Sequence, residues 1–182
     1  MPSEDWATQA LDHALAAPPT LGSGRLICID GLAGAGKTTL AASLGDLTGA
    51  PVLHADELLA GWGGLPCLGA TIEAVLRPLA SGRASSWRRW DWLSSQWAET
   101  HPLEPTPLLV IDGVGCAAST YDDLITTLVW IEADRDVRLA RGLERDGDDM
   151  HAHWEQWLDE EAALHVRDRT RERADLVYST SA

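Results

Sequence analysis

The most constraining feature of this chain is a run of eight residues, GLAGAGKT, that extends from Gly31 to Thr38. It matches the pattern G-x-x-x-x-G-K-[S/T], in which glycines let the backbone curl until successive N–H groups point inward. The apolar segment RLICID precedes the run, and KTTLAASLGDLT, which has the character of a helix, overlaps its end. A strand, a glycine-rich loop and a helix in this order predict a phosphate-binding loop.

This loop predicts a nucleoside triphosphate as the ligand, with Mg²⁺ as its metal. Lys37, the single lysine among 14 basic residues, would bridge the β- and γ-phosphates, and Thr38 would place its hydroxyl on Mg²⁺. No guanine-reading motif is recognised, which favours ATP over GTP. A glycine-rich turn without a ligand is the weaker alternative. The predicted nucleotide-binding residues are Gly31, Leu32, Ala33, Gly34, Ala35, Gly36, Lys37, Thr38 and Thr39.

Apolar and helical segments alternate along the chain, which is typical of a parallel α/β sheet. The pattern predicts a phosphate-loop fold of three layers, α/β/α, with about five parallel strands. A helix within 1–20 is expected to be appended to one domain at 21–182, with a lid around 135–150. The stretch 61–69 is expected to be a loop, and 83–106 has no clear assignment. Strands are predicted at 25–30, 51–54, 108–112, 126–132 and 174–178, and helices at 3–16, 37–48, 70–80, 135–146 and 151–173.

Composition narrows the choice of partners and compartment. The net charge of −14 argues against nucleic acid and anionic membranes as partners, because both attract clustered basic residues. No apolar run approaches the roughly 18 residues of a membrane span, and the segment 1–17 lacks a signal peptide's basic start. Three scattered cysteines are expected to be free thiols. We therefore expect a cytoplasmic protein with a small-molecule partner, and the oligomeric state stays open.

Two aspartates are expected at the carboxyl edge of the sheet, where open α/β sheets bind ligands. Asp112 ends the segment LLVID and is predicted to organise Mg²⁺, the alternative being an ordinary Asp-Gly turn. Asp56 follows PVLH and could accept a proton from a substrate hydroxyl or hold Mg²⁺. Its alternative role is to cap a helix at 57–60. The neighbouring Glu57 is expected to point elsewhere.

Three arginines, Arg138, Arg141 and Arg145, occupy one face of a predicted helix at i, i+3 and i+7. Guanidinium groups suit phosphate oxygens and transition-state charge, so this face is predicted to contact the nucleotide. The alternative is a solvated face paired with neighbouring acidic residues.

A tryptophan-rich segment is a candidate acceptor pocket, because aromatic walls with a few polar groups typify small-molecule sites. Trp62, Arg89 and Asp91 are the predicted substrate contacts, and a surface flap packed on the core is the alternative. His151 and His153 are not expected to bind a metal with Asp148 and Asp149, because their i,i+2 spacing places the rings on different faces of a helix.

These segments together resemble the uridine kinase group of nucleoside and nucleotide kinases. IDGLAGAGKTTLAASL resembles the family's first strand, loop and helix, and DVRLARGLERD resembles its lid. HADEL is similar to the segment after its second strand, WDW to its Tyr-Asp-aromatic stretch, LLVIDGV to its third strand and ADLV to its final strand. The chain is shorter than typical members, and no clear counterpart of the family's substrate-binding hairpin is recognised. Asp112 stands where the family usually has a glutamate.

The resemblance implies an ATP-dependent kinase that transfers the γ-phosphoryl group to a hydroxyl or phosphate acceptor, a nucleoside being the first choice. It assigns Asp56 as the base for the nucleoside hydroxyl, and Arg141 and Arg145 as lid arginines, with Arg138 matching less well. One alternative is a kinase of another metabolite, such as a nucleoside monophosphate, a sugar acid or a vitamin precursor. The other is a nucleotide-dependent switch or binding protein with slow hydrolysis.

Overall fold

The computed structural model describes residues 2–147 and 151–181. Short 3₁₀ segments occur at Ala55–Leu58 and Ser119–Leu124. The helices and strands, in chain order, are α1 (Pro2–Ala16), β1 (Arg25–Gly31), α2 (Lys37–Thr48), β2 (Val52–His54), α3 (Leu65–Ala80), β3 (Ser85–Asp91), β4 (Gln96–Leu103), β5 (Leu108–Asp112), β6 (Thr127–Glu132), α4 (Arg135–Asp146), α5 (His151–Asp168), α6 (Thr170–Arg173) and β7 (Leu176–Ser179).

A sheet of five parallel strands in the order β2-β5-β1-β6-β7 forms the centre of the molecule. The central strand β1 is buried from Leu26 onward, as expected for a parallel strand covered on both faces. Ile29 lies opposite Asp112 on one side and Val129 on the other, so the phosphate-loop motif and Asp112 emerge at the same edge. The predicted phosphate-loop α/β fold with about five parallel strands is confirmed.

Two apolar clusters cover the two faces of this sheet. One cluster contains the buried face of α3, represented by Ile72 and Leu76. The other contains Leu40 and Leu44 of α2 together with the small side chains of α1, which are Ala7, Ala10 and Ala14. Small residues let α1 approach α2 closely, and the Arg25 guanidinium fixes its end by donating to the carbonyl oxygens of Ala14 and Ala17.

The segment 83–106, which gave no clear assignment, forms an antiparallel hairpin of β3 and β4. The sequence did not predict this hairpin. Its strands are hard to recognise because the register shifts between Arg88 and Trp90, which breaks the alternation of a regular strand.

Two predicted element bounds are also corrected. Helix α3 begins at Leu65, inside the expected loop 61–69, because Pro66 lies in the first turn where its missing N–H costs no hydrogen bond. The end of this helix at Ala80 agrees with the prediction, although Pro78 lies inside it. The predicted helix 151–173 is divided at Arg169, whose φ of 50° is left-handed.

Within 2–147 and 151–181, none of the helices is long and apolar enough to cross a membrane. All three cysteines are free thiols, two of them buried (Cys28 and Cys116) and one exposed (Cys67).

Helices α4 and α5 are in close contact where the indole ring of Trp154 packs against Gly142. Trp154 of α5 is 2% exposed, and a Cβ added at Gly142 of α4 would lie 2.4 to 2.7 Å from three atoms of that ring. Such distances are shorter than van der Waals contact, so this crossing requires glycine.

Replacing Gly142 with alanine is expected to destabilise the protein by about 1–3 kcal/mol, because the rigid ring cannot yield to the new methyl group. The gain in helix propensity, about 1 kcal/mol at most, only partly offsets this cost. Urea unfolding would measure the change. Gly63→Ala is the matched control, since nothing lies within 4 Å of its added Cβ. Equal stability of both variants would contradict the described packing.

Candidate active site

The phosphate loop takes its shape from glycines that no other residue could replace. Gly31, Gly34 and Gly36 have φ values of 143°, 78° and 97°. A Cβ at Gly31 would lie 2.1 Å from the carbonyl oxygen of Ile131, and one at Gly34 would lie 2.6 Å from that of Arg138. No described side chain caps the start of α2, so its first N–H groups are available to an anion.

Lys37 lies buried at the start of α2, and its side chain folds back over the loop. Its ammonium donates to the carbonyl oxygens of Gly31 at 2.8 Å and Leu32 at 2.9 Å. Burial lowers the pKa of Lys37, and the nearby carboxylates of Asp30 and Glu161 oppose that shift. The ammonium is therefore held at the loop, within reach of a phosphate bound there.

Thr38, Asp112 and His54 form a second polar group beside the loop. The Thr38 hydroxyl donates to Oδ2 of Asp112 at 2.9 Å, and Nδ1 of His54 is hydrogen-bonded to Oδ1 of the same carboxylate. This hydrogen bond is the main reason why the pKa of His54 is raised. A hydroxyl and a carboxylate at the start of a phosphate-binding helix are hard oxygen ligands that suit Mg²⁺.

The described residues contain no cluster of three or more His, Cys, Asp or Glu side chains suited to a metal. Mg²⁺ needs few protein ligands, because it keeps several waters and takes phosphate oxygens from its substrate. Asp148 and Asp149 of the rejected histidine site lie outside the described residues. The described His153 stacks on Trp62, with ring centroids 5.7 Å apart.

Asp30 fixes the base of the loop and was missed by sequence reasoning. Its carboxylate is fully buried and accepts N–H donors from Gly31 at 2.7 Å, Gly115 at 2.9 Å and Ala117 at 3.0 Å. It therefore joins the phosphate loop to the segment after β5. A charged residue at the end of an otherwise apolar strand, directly before the glycines, is a signal that could have identified it.

A buried ion pair between α4 and α5 holds the other side of the loop. The Arg138 guanidinium donates to Oε1 of Glu161 at 2.7 Å and to the carbonyl oxygen of Ala33 at 3.2 Å. The other oxygen of Glu161 accepts the Ala33 N–H at 2.7 Å. Arg138 was expected to contact phosphates with Arg141 and Arg145, but the structure places its guanidinium on Glu161 and the loop backbone. Sequence reasoning missed Glu161.

Arg141 and Arg145, the other two arginines of this face, do reach the cavity beside the loop. The Arg141 guanidinium donates to the carbonyl oxygens of Gly34 and Thr180, each at 3.1 Å. The Arg145 guanidinium lies over the indole of Trp154, 5.6 Å from the ring centroid. Helix α4 thus carries both groups along the cavity wall. Residues 148–150 of the expected lid lie outside the described part of the chain.

These groups meet in one cavity of about 910 Å³, which is at the upper end of the usual range for small-molecule sites. Glu57 also lines it, contrary to the expectation that its side chain points elsewhere. Four predicted nucleotide-binding residues do not line the cavity: Gly31, Leu32, Ala35 and Thr39. The lining includes the predicted residues Ala33, Gly34, Gly36, Lys37, Thr38, Asp56, Trp62, Asp112, Arg141 and Arg145.

Two predicted substrate contacts, Arg89 and Asp91, do not line this cavity. The Arg89 guanidinium binds Glu99 across the hairpin at 2.6 Å, and Asp91 accepts the Ser94 hydroxyl at 2.8 Å within the hairpin turn. Their neighbour Trp92 lines the cavity instead, and its indole N–H donates to the carbonyl oxygen of Asp56 at 3.1 Å. The hairpin thus reaches the site through an aromatic ring.

Comparison with known proteins relates the chain to uridine kinases in sequence and in fold. No protein-family model matches the chain. Over 112 residues, 57% of this chain and 50% of the other, it is 26% identical to the uridine kinase of Halobacterium salinarum. The chain thus spans about half the length of this curated relative.

Solved structures extend the likeness to nearly the whole chain. A possible uridine kinase from Bacillus stearothermophilus superimposes with a TM-score of 0.64, covering 97% of both chains at 17% identity. A Silicibacter protein provisionally described as a fructose transport system kinase gives 0.61, covering 98% of both chains at 18% identity. The chain has the fold of phosphate-loop kinases. Its resemblance to uridine kinases is confirmed.

Replacing Glu161 with glutamine is expected to destabilise the protein by about 3 kcal/mol, because it leaves the buried Arg138 guanidinium without its countercharge. The double variant Arg138→Met/Glu161→Gln should recover part of this loss, since no unpaired charge remains. Urea unfolding measures both. Glu160→Gln on the same helix should stay within about 0.5 kcal/mol of the wild type. An unchanged midpoint for Glu161→Gln would contradict the role assigned to the pair.

The bond between His54 and Asp112 predicts a pH-dependent stability. Because the folded pKa of His54 is raised, its contribution is fully present below its unfolded pKa of about 6.5 and is lost as pH rises through the folded value. The difference in Tm between the wild type and His54→Gln should therefore be largest near pH 6 and should shrink toward alkaline pH. A difference that stays constant with pH would show that the histidine is not charged there.

Proposed function

We propose that this protein is an ATP-dependent kinase that transfers the γ-phosphoryl group to a hydroxyl or phosphate of a small molecule, with a nucleoside as the first candidate. One observation carries the proposal: the phosphate loop, the Thr38–Asp112 pair and the carboxylate of Asp56 all face the same cavity. The similarity to a uridine kinase supports a nucleoside acceptor.

On the donor side, the loop N–H groups and Lys37 hold the β- and γ-phosphates of ATP. Lys37 exchanges its bonds to the carbonyl oxygens of Gly31 and Leu32 for bonds to phosphate oxygens. Arg141 and Arg145 stabilise the charge that develops on the transferred group. Thr38 and Asp112 would hold Mg²⁺, which supplies charge neutralisation on the phosphates when bound.

On the acceptor side, Asp56 is the proposed base. Asp56 lies on the turn after β2 and lines the cavity, which supports this role. In the proposed step its carboxylate accepts the acceptor's hydroxyl proton as that oxygen attacks the γ-phosphorus. The bond from the γ-phosphorus to the bridging oxygen breaks, and ADP leaves with that oxygen. The tryptophans around the cavity exclude water, which limits transfer of the phosphoryl group to water.

Two other functions remain candidates under this proposal. A different metabolite, such as a nucleoside monophosphate, a sugar acid or a vitamin precursor, could be the acceptor of the same chemistry. A nucleotide-dependent switch would bind ATP tightly and hydrolyse it slowly whatever small molecule is present. The position of Asp56 beside the phosphate loop favours a kinase, because a switch has no need of a base at that place.

ADP release from Mg-ATP across a panel of acceptors tests the proposal. One acceptor among uridine, cytidine, nucleoside monophosphates, gluconate, shikimate and pantothenate should raise turnover to about 1 s⁻¹ or more. Lys37→Ala should then lower kcat/KM by about a hundredfold or more. Asp56→Asn should lower kcat by about 10²–10⁴, because the proton acceptor is gone.

Asp46→Asn on the exposed part of α2 is the matched control and should leave turnover unchanged. Tight ATP binding without stimulation by any of these acceptors would remove them as substrates. Slow hydrolysis that no hydroxyl compound accelerates, whether uncharged, anionic or cationic, would contradict the kinase and favour the switch. Full activity of Asp56→Asn would remove Asp56 from the mechanism but leave the phosphate loop in place.

A further inference from the structure

One wall of the cavity differs in character from the phosphate side. We call it the acceptor wall; its residues come from the turn after β2, the loop that follows, the hairpin and α5. It contains two adjacent carboxylates and three indoles, and no lysine or arginine. Its residues are Asp56, Glu57, Trp62, Trp92 and Trp157.

Glu57 carries a charge on this wall that no described side chain meets with a hydrogen bond or an ion pair. Its side chain is half-buried and faces the cavity, and no hydrogen bond or ion pair reaches its carboxylate within 2–147 and 151–181. Burial is the main reason why the pKa of Glu57 is raised, and the adjacent Asp56 adds to the shift. A partly desolvated carboxylate in a binding cavity is stabilised by a positive ligand.

The nearby cationic groups are engaged elsewhere. His54, His101 and Arg89 are close enough to act on Glu57 electrostatically. His54 is hydrogen-bonded to Asp112, while His101 and Arg89 both contact Glu99. The arginines and the lysine that line the cavity belong to the phosphate loop, α2 and α4, beside the expected phosphates. The acceptor wall therefore keeps a net negative charge.

The indoles of this wall meet edge to face rather than in a flat layer, and Trp62 is also stacked on His153, with ring centroids 5.7 Å apart. Trp62 makes edge contacts with Trp92 and Trp157, with ring centroids 5.7 and 5.5 Å apart and planes inclined at 71° and 81°. Trp92 is 38% exposed, so part of its ring is open to a ligand. Indole faces attract cations, and the neighbouring Trp154 already holds the Arg145 guanidinium in this way.

We infer that the acceptor is a hydroxyl compound that carries a positive charge, either an ammonium group or a cationic heterocyclic ring, bound between Glu57 and the indoles of Trp62 and Trp92. This inference rests on the proposed kinase function and narrows its substrate class: if it holds, a cationic hydroxyl compound takes the place of the uncharged and anionic acceptors in the turnover assay. An anionic acceptor would place like charge beside Asp56 and Glu57, where the cavity's nearest cationic group, His54, is already hydrogen-bonded to Asp112. An uncharged acceptor could donate hydrogen bonds to Glu57 but would not balance its charge.

Isothermal titration calorimetry on the full chain, first saturated with ADP, tests the inference with matched probes. The probes are a hydroxymethyl-N-methylpyridinium cation, its uncharged analogue benzyl alcohol, the anion hydroxymethylbenzoate, and uridine. The cation should bind about tenfold or more tightly than benzyl alcohol and uridine, and the anion should bind most weakly. Glu57→Gln should reduce the advantage of the cation over benzyl alcohol to less than about threefold.

Two further variants control for general damage to the protein. Trp62→Leu keeps an apolar side chain but removes the ring, so it should weaken the cation about tenfold more than it weakens benzyl alcohol. Glu160→Gln on α5 lies outside this cavity and should leave every affinity unchanged. Comparable ADP binding by all variants would show that the fold and the phosphate side are intact.

The remaining outcomes count against the inference. Binding of benzyl alcohol, uridine or the anion as tightly as the cation would overturn it, as would an undiminished preference in Glu57→Gln. Absence of binding by every probe to protein that holds ADP would overturn the charged-acceptor inference alone. Failure of ADP itself to bind would instead contradict the proposed kinase function, on which the inference depends.

Discussion

The site depends on buried charges that hold the phosphate loop in one shape. A glycine-rich loop has few side chains with which to pack, so its position must come from hydrogen bonds. The Asp30 carboxylate accepts the Gly31 N–H, and the Glu161 carboxylate accepts the Ala33 N–H. The Lys37 ammonium donates to the carbonyl oxygen of Gly31. Removing one of these charges leaves an oppositely charged partner buried without its countercharge. The resulting loss in the free energy of unfolding is larger than the net stabilisation that the intact ion pair provides.

These charges also join the loop to the helices that carry the cavity arginines. Arg138 and Glu161 connect α4 and α5 to Ala33, while Arg141 of the same helix reaches Gly34 and Thr180. A movement of α4 would therefore act on the loop directly. The three arginines therefore differ in position: Arg138 contacts Glu161 and the loop backbone, whereas Arg141 and Arg145 line the cavity.

The parts of the site that are local in sequence could be predicted from it. Lys37 and Thr38 follow from one motif, and Asp112 from the end of an apolar strand. Glu161 could not be predicted, because it lies 128 residues from the Ala33 N–H and resembles any other acidic residue of a helix. Arg89 and Asp91 were predicted to contact the substrate, but in the hairpin they are bonded to Glu99 and Ser94 instead. The sequence could not show this because the hairpin was not predicted.

A crystal structure with a non-hydrolysable ATP analogue and Mg²⁺ would test the central claim most directly. The β- and γ-phosphates should lie against the N–H groups between Gly34 and Thr38. The Lys37 ammonium should have left the carbonyl oxygens of Gly31 and Leu32 for phosphate oxygens. An analogue bound elsewhere, or Lys37 still bonded to the loop with a nucleotide present, would contradict the assignment of this cavity to phosphoryl transfer.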